Sequence, residues 1–288
     1  MKLFENYKSD APNQITMANG AFYPDILVQA CELYKPVLVY FGQLLKVSAS
    51  SEILLREITK LTQTWMRIQL LRVFRKYVSP DTSVEMLKAK NKIPMVCENF
   101  GYKFRPISEV QKYFNQRPLP DETLCAILWE YKDRGQKGYS LTENFFDMFQ
   151  SKFPEYSIEG PKRAGADVQL NKVFPNYPNP NRPVDFIIRN KENKVLAIGL
   201  ARYDSDRGGA QEDDRTGGYV NCAKEFLDFT LENKLNTKII FLNDGPGLLL
   251  GSMWDDYSKL ERINPNKIMV LTLRMLTERL TKKWLNSK

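Results

Sequence analysis

Apolar residues recur through the N-terminal half at the three- and four-residue spacing of helices buried on one side. Ile26, Leu27, Ala30, Leu33 and Tyr34 form one such stripe, and a denser apolar run spans 37–45. The spacing predicts two helices joined around Pro36. Ser48 to Ser51 is a cap cluster, and the next helix is expected from about Glu52 toward Tyr77, stopping before Ser79-Pro80. Pro80-Asp81, Arg117-Pro118-Leu119-Pro120-Asp121 and Asp133-Arg134-Gly135-Gln136-Lys137-Gly138 punctuate the helices that follow, and Asp121-Glu122 charge the start of one that runs to about Tyr131.

After Gly138 the period changes. A helix over 142–152 precedes Pro154, and short β-branched or apolar segments at 168–173, 184–189, 195–202, 238–242 and 267–273 read as strands, separated by turns and two helical stretches. Strands alternating with helices predict an α/β class. The expected division is a helical, basic region over 1–134 and an α/β core over 135–288.

Composition sharpens this reading mainly by exclusion. The 288 residues are 43% hydrophobic and 12% aromatic, enough for a substantial core, and contain no histidine. Ser-His-Asp and Cys-His triads, His-based metal nucleases and His-ligated zinc are therefore excluded. The four cysteines, at 31, 97, 125 and 222, are too scattered for Cys-x-x-Cys metal pairs and are expected as buried or free thiols in a reducing cytoplasm. No stretch reaches the ~18 apolar residues of a membrane span, so a soluble, cytoplasmic protein without a membrane partner is expected. Any metal should be a hard cation on oxygen ligands.

Forty-two Lys and Arg against 34 Asp and Glu give a formal charge of +8, which suits a polyanionic partner. The excess is densest from Lys60 to Arg117, with twelve cations against four acids. Within it Arg67, Arg72, Arg75 and Lys76 fan over about half of a helix circumference. They are candidates for a phosphate-facing surface, or for an ordinary solvated helix face.

The segment from Arg182 to Tyr203 carries the most chemical information. Two apolar strands flank the turn Asn190 to Asn193, a β-hairpin pattern in which pairing Arg189 with Lys194 would set Asp185 opposite Ile198. An acid at the end of such a strand is suited to holding a cation that activates water. The segment Asp204 to Arg215 follows at once, with five acids and two glycines, and Glu212 is expected to open the next helix. Asp204 and Glu212 are candidate ligands beside Asp185, and Arg207 and Arg215 candidate DNA contacts, since guanidinium matches phosphate and guanine edges. The alternative for the whole segment is a solvated loop. Lys162 and Arg163, in a basic turn leading to Asp167, could hold a phosphate. Arg202 is too basic to accept a proton and would instead stabilise developing phosphorane charge.

Pro183-Val184-Asp185 resembles the first motif of the PD-(D/E)xK nuclease superfamily, and within it of type II restriction endonucleases. Phe241-Leu242-Asn243-Asp244-Gly245-Pro246-Gly247 is similar to the strand and glycine turn that follow the active site in some restriction enzymes. Glu143 stands where the family's helical acid is expected. The resemblance implies a mixed central sheet flanked by helices, an Asp on one strand and an acidic-x-Lys triplet on the next, and Mg2+, for which Mn2+ can substitute. It also implies cleavage of double-stranded DNA at a short, palindromic sequence by a homodimer, with a cognate DNA methyltransferase protecting the host. The implied catalytic set is Asp185, Glu143, Arg202 and Glu212, with Asp185, Asp204 and Glu212 on the metal. The chain departs from the pattern at Gly199-Leu200-Ala201, where the triplet is expected and neither carboxylate nor lysine stands. The alternative reading is a catalytically inactive DNA-binding protein with a nuclease-like fold.

Overall fold

A computed structural model describes residues 2–163, 165–205 and 210–287, with the side chains of 133–136 and 210–216 outside the description. In chain order the helices and strands are α1 (Ala11–Gln14), α2 (Ile26–Val47), α3 (Ser51–Lys60), α4 (Thr64–Tyr77), α5 (Val84–Lys88), α6 (Ile93–Phe100), α7 (Ile107–Asn115), α8 (Glu122–Lys152), β1 (Ser157–Glu159), β2 (Val168–Gln169), α9 (Leu170–Val173), β3 (Pro183–Val184), β4 (Phe186–Arg189), β5 (Val195–Tyr203), α10 (Ala210–Glu232), β6 (Lys238–Asp244), α11 (Met253–Arg262), β7 (Ile268–Leu271), α12 (Leu276–Arg279) and α13 (Lys282–Asn286). The protein is mixed α/β, and among the described residues no helix is long and apolar enough to cross a membrane.

Two compact units emerge, one made of residues 20–134 and the other of 1–19 with 135–288. The boundary falls after Arg134, inside α8, and residues 1–19 go with the sheet unit instead of the helical region to which their position in the chain had assigned them. Polar anchors explain that placement. The buried Asp244 carboxylate accepts from Thr16 N at 2.7 Å and Leu273 N at 3.0 Å. Glu261 accepts from Phe4 N at 2.6 Å and Val270 N at 3.0 Å, and pairs with the wholly buried Arg279 at 2.6 Å. Removing one partner of such a pair would strand a buried charge, typically at a cost of about 3–5 kcal/mol.

The helical unit is built around Tyr34, Phe41, Leu54, Leu70, Phe74, Val96 and Leu128. Three boundaries differ from the periodicity. Pro36 lies inside the single helix α2, whose buried stripe from Ala30 to Leu45 outweighs the missing N–H. The expected 52–77 helix is two, and the break is stabilised by Arg67, whose guanidinium donates to Leu61 O at 2.8 Å. Conversely, α8 runs unbroken through the Gly135 to Gly138 stretch. Leu124, Cys125, Leu128 and Trp129 anchor its first part in one core and Leu141, Phe145, Phe146 and Phe149 its second in the other, which outweighs about 1 kcal/mol per helical glycine.

The described residues of the sheet unit form a five-stranded sheet in the order β1-β4-β5-β6-β7 and a two-stranded antiparallel one of β2 and β3. β1, β4 and β5 pair antiparallel, and β5, β6 and β7 parallel. The segment expected as a strand over 168–173 is β2 followed by the short α9, and 184–189 is broken at Asp185 into β3 and β4. Phe186 and Gly199, on one face, meet α8 through the Phe145 ring, 4.8 Å from that of Phe186. The opposite face carries Phe241, covered by Tyr219 of α10 at 5.1 Å, which in turn meets Tyr257 of α11 at 6.1 Å.

At the start of β6, Lys238 is fully buried and donates to Asn266 O at 2.9 Å, Ser287 O at 2.7 Å and Ser287 Oγ at 3.2 Å. Burial, with Lys267 adding to it, brings this amine down to about 8. An amine lowered in the folded state stabilises most when neutral, so stability is present at high pH and lost as pH falls through that value. Urea unfolding should therefore give between about 1 and 2 kcal/mol more stability at pH 9.5 than at 7.5 from this group. In Lys238→Met that slope should flatten, and an unchanged slope would assign it to other groups.

Candidate active site

Asp185 sits at the bend between β3 and β4, where Pro183 leads the chain into the sheet. Its N–H donates to Gly199 O at 2.9 Å, and its Oδ2 accepts from Ala201 N at 2.8 Å. The expected hairpin forms, but its register differs. Phe186 pairs with Gly199 and Ile187 with Ile198, while an irregularity at Ile188/Arg189 shifts Arg189 onto Val195. Asp185 is thus displaced from Ile198 toward Leu200 and Ala201. Burial pushes its carboxyl up to about 6, the Ala201 N–H opposes the shift, and the neighbouring charge of Asp167 adds to it.

Alternation along β5 places Leu200 and Arg202 on one face and Gly199 and Ala201 on the other. Gly199 shares its face with Phe186, because a Cβ at Gly199 would lie only 1.9 Å from that ring. The triplet beside Asp185 is therefore Leu200-Ala201-Arg202, one residue later than expected. It supplies a cation in Arg202 and an apolar side chain in Leu200.

Arg202 Nε donates to Asp204 Oδ1 at 2.6 Å. Burial works against the guanidinium charge, and Asp204 more than restores it, so the group is raised overall. Tyr219 packs beside this pair. Its hydroxyl is raised to about 12 by burial, with Arg202 opposing and Asp185 and Asp204 adding to the shift. Asn243, level with Arg202 on the parallel strand, accepts from Tyr257 OH at 3.1 Å, and its buried Nδ2 has no hydrogen-bond partner among the described residues. Such a donor is suited to a water or a substrate oxygen. Tyr219, Asn243 and Tyr257 escaped the sequence reading. The polar pair Asn243-Asp244 closing an otherwise apolar strand was the available signal.

The turn after β6 supports the same corner. Gly245 has φ +105°, and a Cβ there would meet Asp204 O at 2.3 Å, while one at Gly247 would meet Asp204 Cβ at 2.8 Å. Gly247 N donates to Asp204 O at 2.8 Å. The glycines therefore let the turn close against Asp204.

The remaining candidates lie elsewhere. Glu143, on α8, is held by Arg163 at 3.0 and 3.1 Å, and Lys162 pairs with Asp147 at 2.8 Å. These two cations thus pin the 160–163 turn to α8. Arg67 is turned onto Leu61 O, Arg72 donates to Gln69 at 3.0 Å and lies over the Tyr131 ring at 4.7 Å, and Arg75 donates to Pro80 O at 2.8 Å. Of that quartet Lys76 is exposed. Arg207 and the side chains of Glu212 and Arg215 lie outside the described residues. Among the described residues no three acidic or cysteine side chains gather into a metal-holding group. Among the described residues, Asp167 is the carboxylate whose charge bears on Asp185.

In comparisons with known proteins, no family model, curated protein or solved structure matches the chain.

The fit of Phe186 over Gly199 sets the cost of altering the triplet. Gly199→Ala should lower the urea-unfolding free energy by about 1–3 kcal/mol through overpacking. Gly199→Glu should be more severe. A neutral Gly199→Ala would show that the ring can move aside.

Proposed function

We propose that the protein is a Mg2+-dependent endodeoxyribonuclease that cleaves double-stranded DNA at a short specific sequence, in the manner of type II restriction enzymes with a PD-(D/E)xK core. The observation that carries this reading is Asp185. It is a partly buried carboxylate following Pro183-Val184, at the end of a strand whose antiparallel neighbour presents Arg202. Its raised carboxyl, with Asp167 nearby, is a local excess of negative charge that a hard cation would relieve. Asp185 and Asp167 are the described residues that would hold such an ion, with Glu212 proposed as a further ligand. When bound there, the cation supplies Lewis acidity for water and the scissile phosphate.

The chain's own contribution begins with Arg202, which Asp204 holds in place and which offers its remaining N–H groups to phosphate charge. Tyr219, protonated at physiological pH, and Asn243 add donors at the same corner. The formal charge of +8 favours duplex capture. A homodimer acting on a palindrome, with a methyltransferase partnering it in the cytoplasm, completes the proposal. Leu200, in the acid's place, favours a second reading as an inactive DNA-binding protein.

Incubation with long unmethylated duplex in Mg2+, Mn2+ or EDTA separates these readings. Discrete fragments formed with metal and absent in EDTA are expected, and Asp185→Asn should lower cleavage at least about 100-fold while leaving duplex affinity close to wild type. Full cutting by that variant would remove Asp185 from the mechanism. Intact duplex bound with an affinity that falls steeply with salt would establish the second reading.

A further inference from the structure

In the helical unit, α2 meets the first part of α8 at two levels. Tyr34 OH donates to Leu128 O at 3.0 Å. Cys31 lies three residues before Tyr34 and Cys125 three residues before Leu128, so each cysteine shares its helix face with a member of that bond. One turn earlier, Leu27 and Val28 line a cavity of about 350 Å³ together with Pro120 and Glu122 at the start of α8. These contacts lie on either side of the cysteines, and the Cys125 thiol is within side-chain hydrogen-bonding reach of Cys31. Both are free thiols, Cys125 buried and Cys31 half-buried on the wall of that cavity.

We propose that Cys31 and Cys125 are a modification site, an oxidisable thiol pair that a hydroperoxide converts into a disulfide joining α2 to α8. The more accessible member, Cys31, reacts first. Cys31 sulfur, as the thiolate, attacks one peroxide oxygen, the O–O bond breaks, and an alcohol or water leaves, so that Cys31 becomes a sulfenic acid. Cys125 sulfur then attacks the Cys31 sulfur and the S–O bond breaks. The hydroxyl departs as water with the Cys125 proton. Two electrons pass from the thiols to the hydroperoxide, and two thiols become one disulfide. Burial and the neighbouring Cys31, Asp121 and Glu122 hold the Cys125 thiol up at about 12, which suits it to the resolving role and not to meeting the oxidant. Cys97 and Cys222, both buried, are internal controls.

The test uses the full chain freed of reductant and treated with hydrogen peroxide, then denatured, alkylated with N-ethylmaleimide and digested without reduction for mass spectrometry. The expected product is a linked peptide pair containing Cys31 and Cys125, with Cys97 and Cys222 recovered as maleimide adducts. In Cys125→Ser, dimedone should trap Cys31 as the sulfenic acid, and in Cys31→Ser, Cys125 should be recovered alkylated. Recovery of both wild-type thiols as maleimide adducts after peroxide would overturn the proposal. A linkage of Cys31 to Cys97 or Cys222 would do the same. Because the readout is on the wild-type chain and needs no DNA, it stands apart from the nuclease reading.

Discussion

The ring of Phe186 occupies the space beside Gly199, and the geometry of the candidate site depends on that contact. The ring is wholly buried and wedged against Phe145, so it cannot readily yield to a side chain at Gly199. It therefore determines how β4 lies on β5. Once Phe186 faces Gly199, alternation places Leu200 and Arg202 on the opposite face, beside Asp185, and the parallel pairing of β5 with β6 brings Asn243 level with Arg202. A core packing constraint on one face of the sheet thus selects which side chains meet on the other.

That dependence explains how much of the site was legible in the sequence. The hairpin and its Pro-Val-Asp entry could be read from alternation and turn residues, as could Arg202 at the end of the second strand. Which residues lie beside Asp185 could not, because an irregularity at Ile188/Arg189 shifts the register without changing the apolar pattern. The expectation of a triplet at Gly199-Leu200-Ala201 depended on that register. Counted from the observed pairing, a cation stands in the lysine's place as Arg202, and Leu200 stands in the acid's.

The helical half was legible in its class and less so in its use of charge. Its apolar spacing predicted helices, yet tertiary burial joined or divided them where local signals pointed the other way, as at Pro36 and the Gly135 to Gly138 stretch. Arginine density was a poor guide to a phosphate surface because guanidinium groups also stabilise backbone carbonyls and aromatic faces. Arg67 and Arg75 bind carbonyls and Arg72 lies over Tyr131, so much of the basic helix α4 serves its own unit. The membership of residues 1–19 in the sheet unit had no local signature, since it rests on acids some 230 to 260 positions away.

Two acids near the same end of the sheet show why burial alone does not identify a reactive carboxylate. Burial raises both Asp244 and Asp185. Asp244 is met by the N–H groups of Thr16, Gly245 and Leu273, at 2.7, 2.7 and 3.0 Å. With those donors its oxygens are committed, and its role is to fasten the N-terminal segment and the residues after β7 to β6. Asp185 Oδ2 accepts from the Ala201 N–H at 2.8 Å, and among the described residues the carboxylate faces the charge of Asp167 in place of further donors. A carboxylate buried with so little compensation is costly to keep ionised, and the cost falls when a proton or a cation arrives. The difference between the two acids is one of hydrogen-bond supply, and it makes Asp244 a structural anchor and leaves Asp185 the carboxylate that a proton or a cation would relieve.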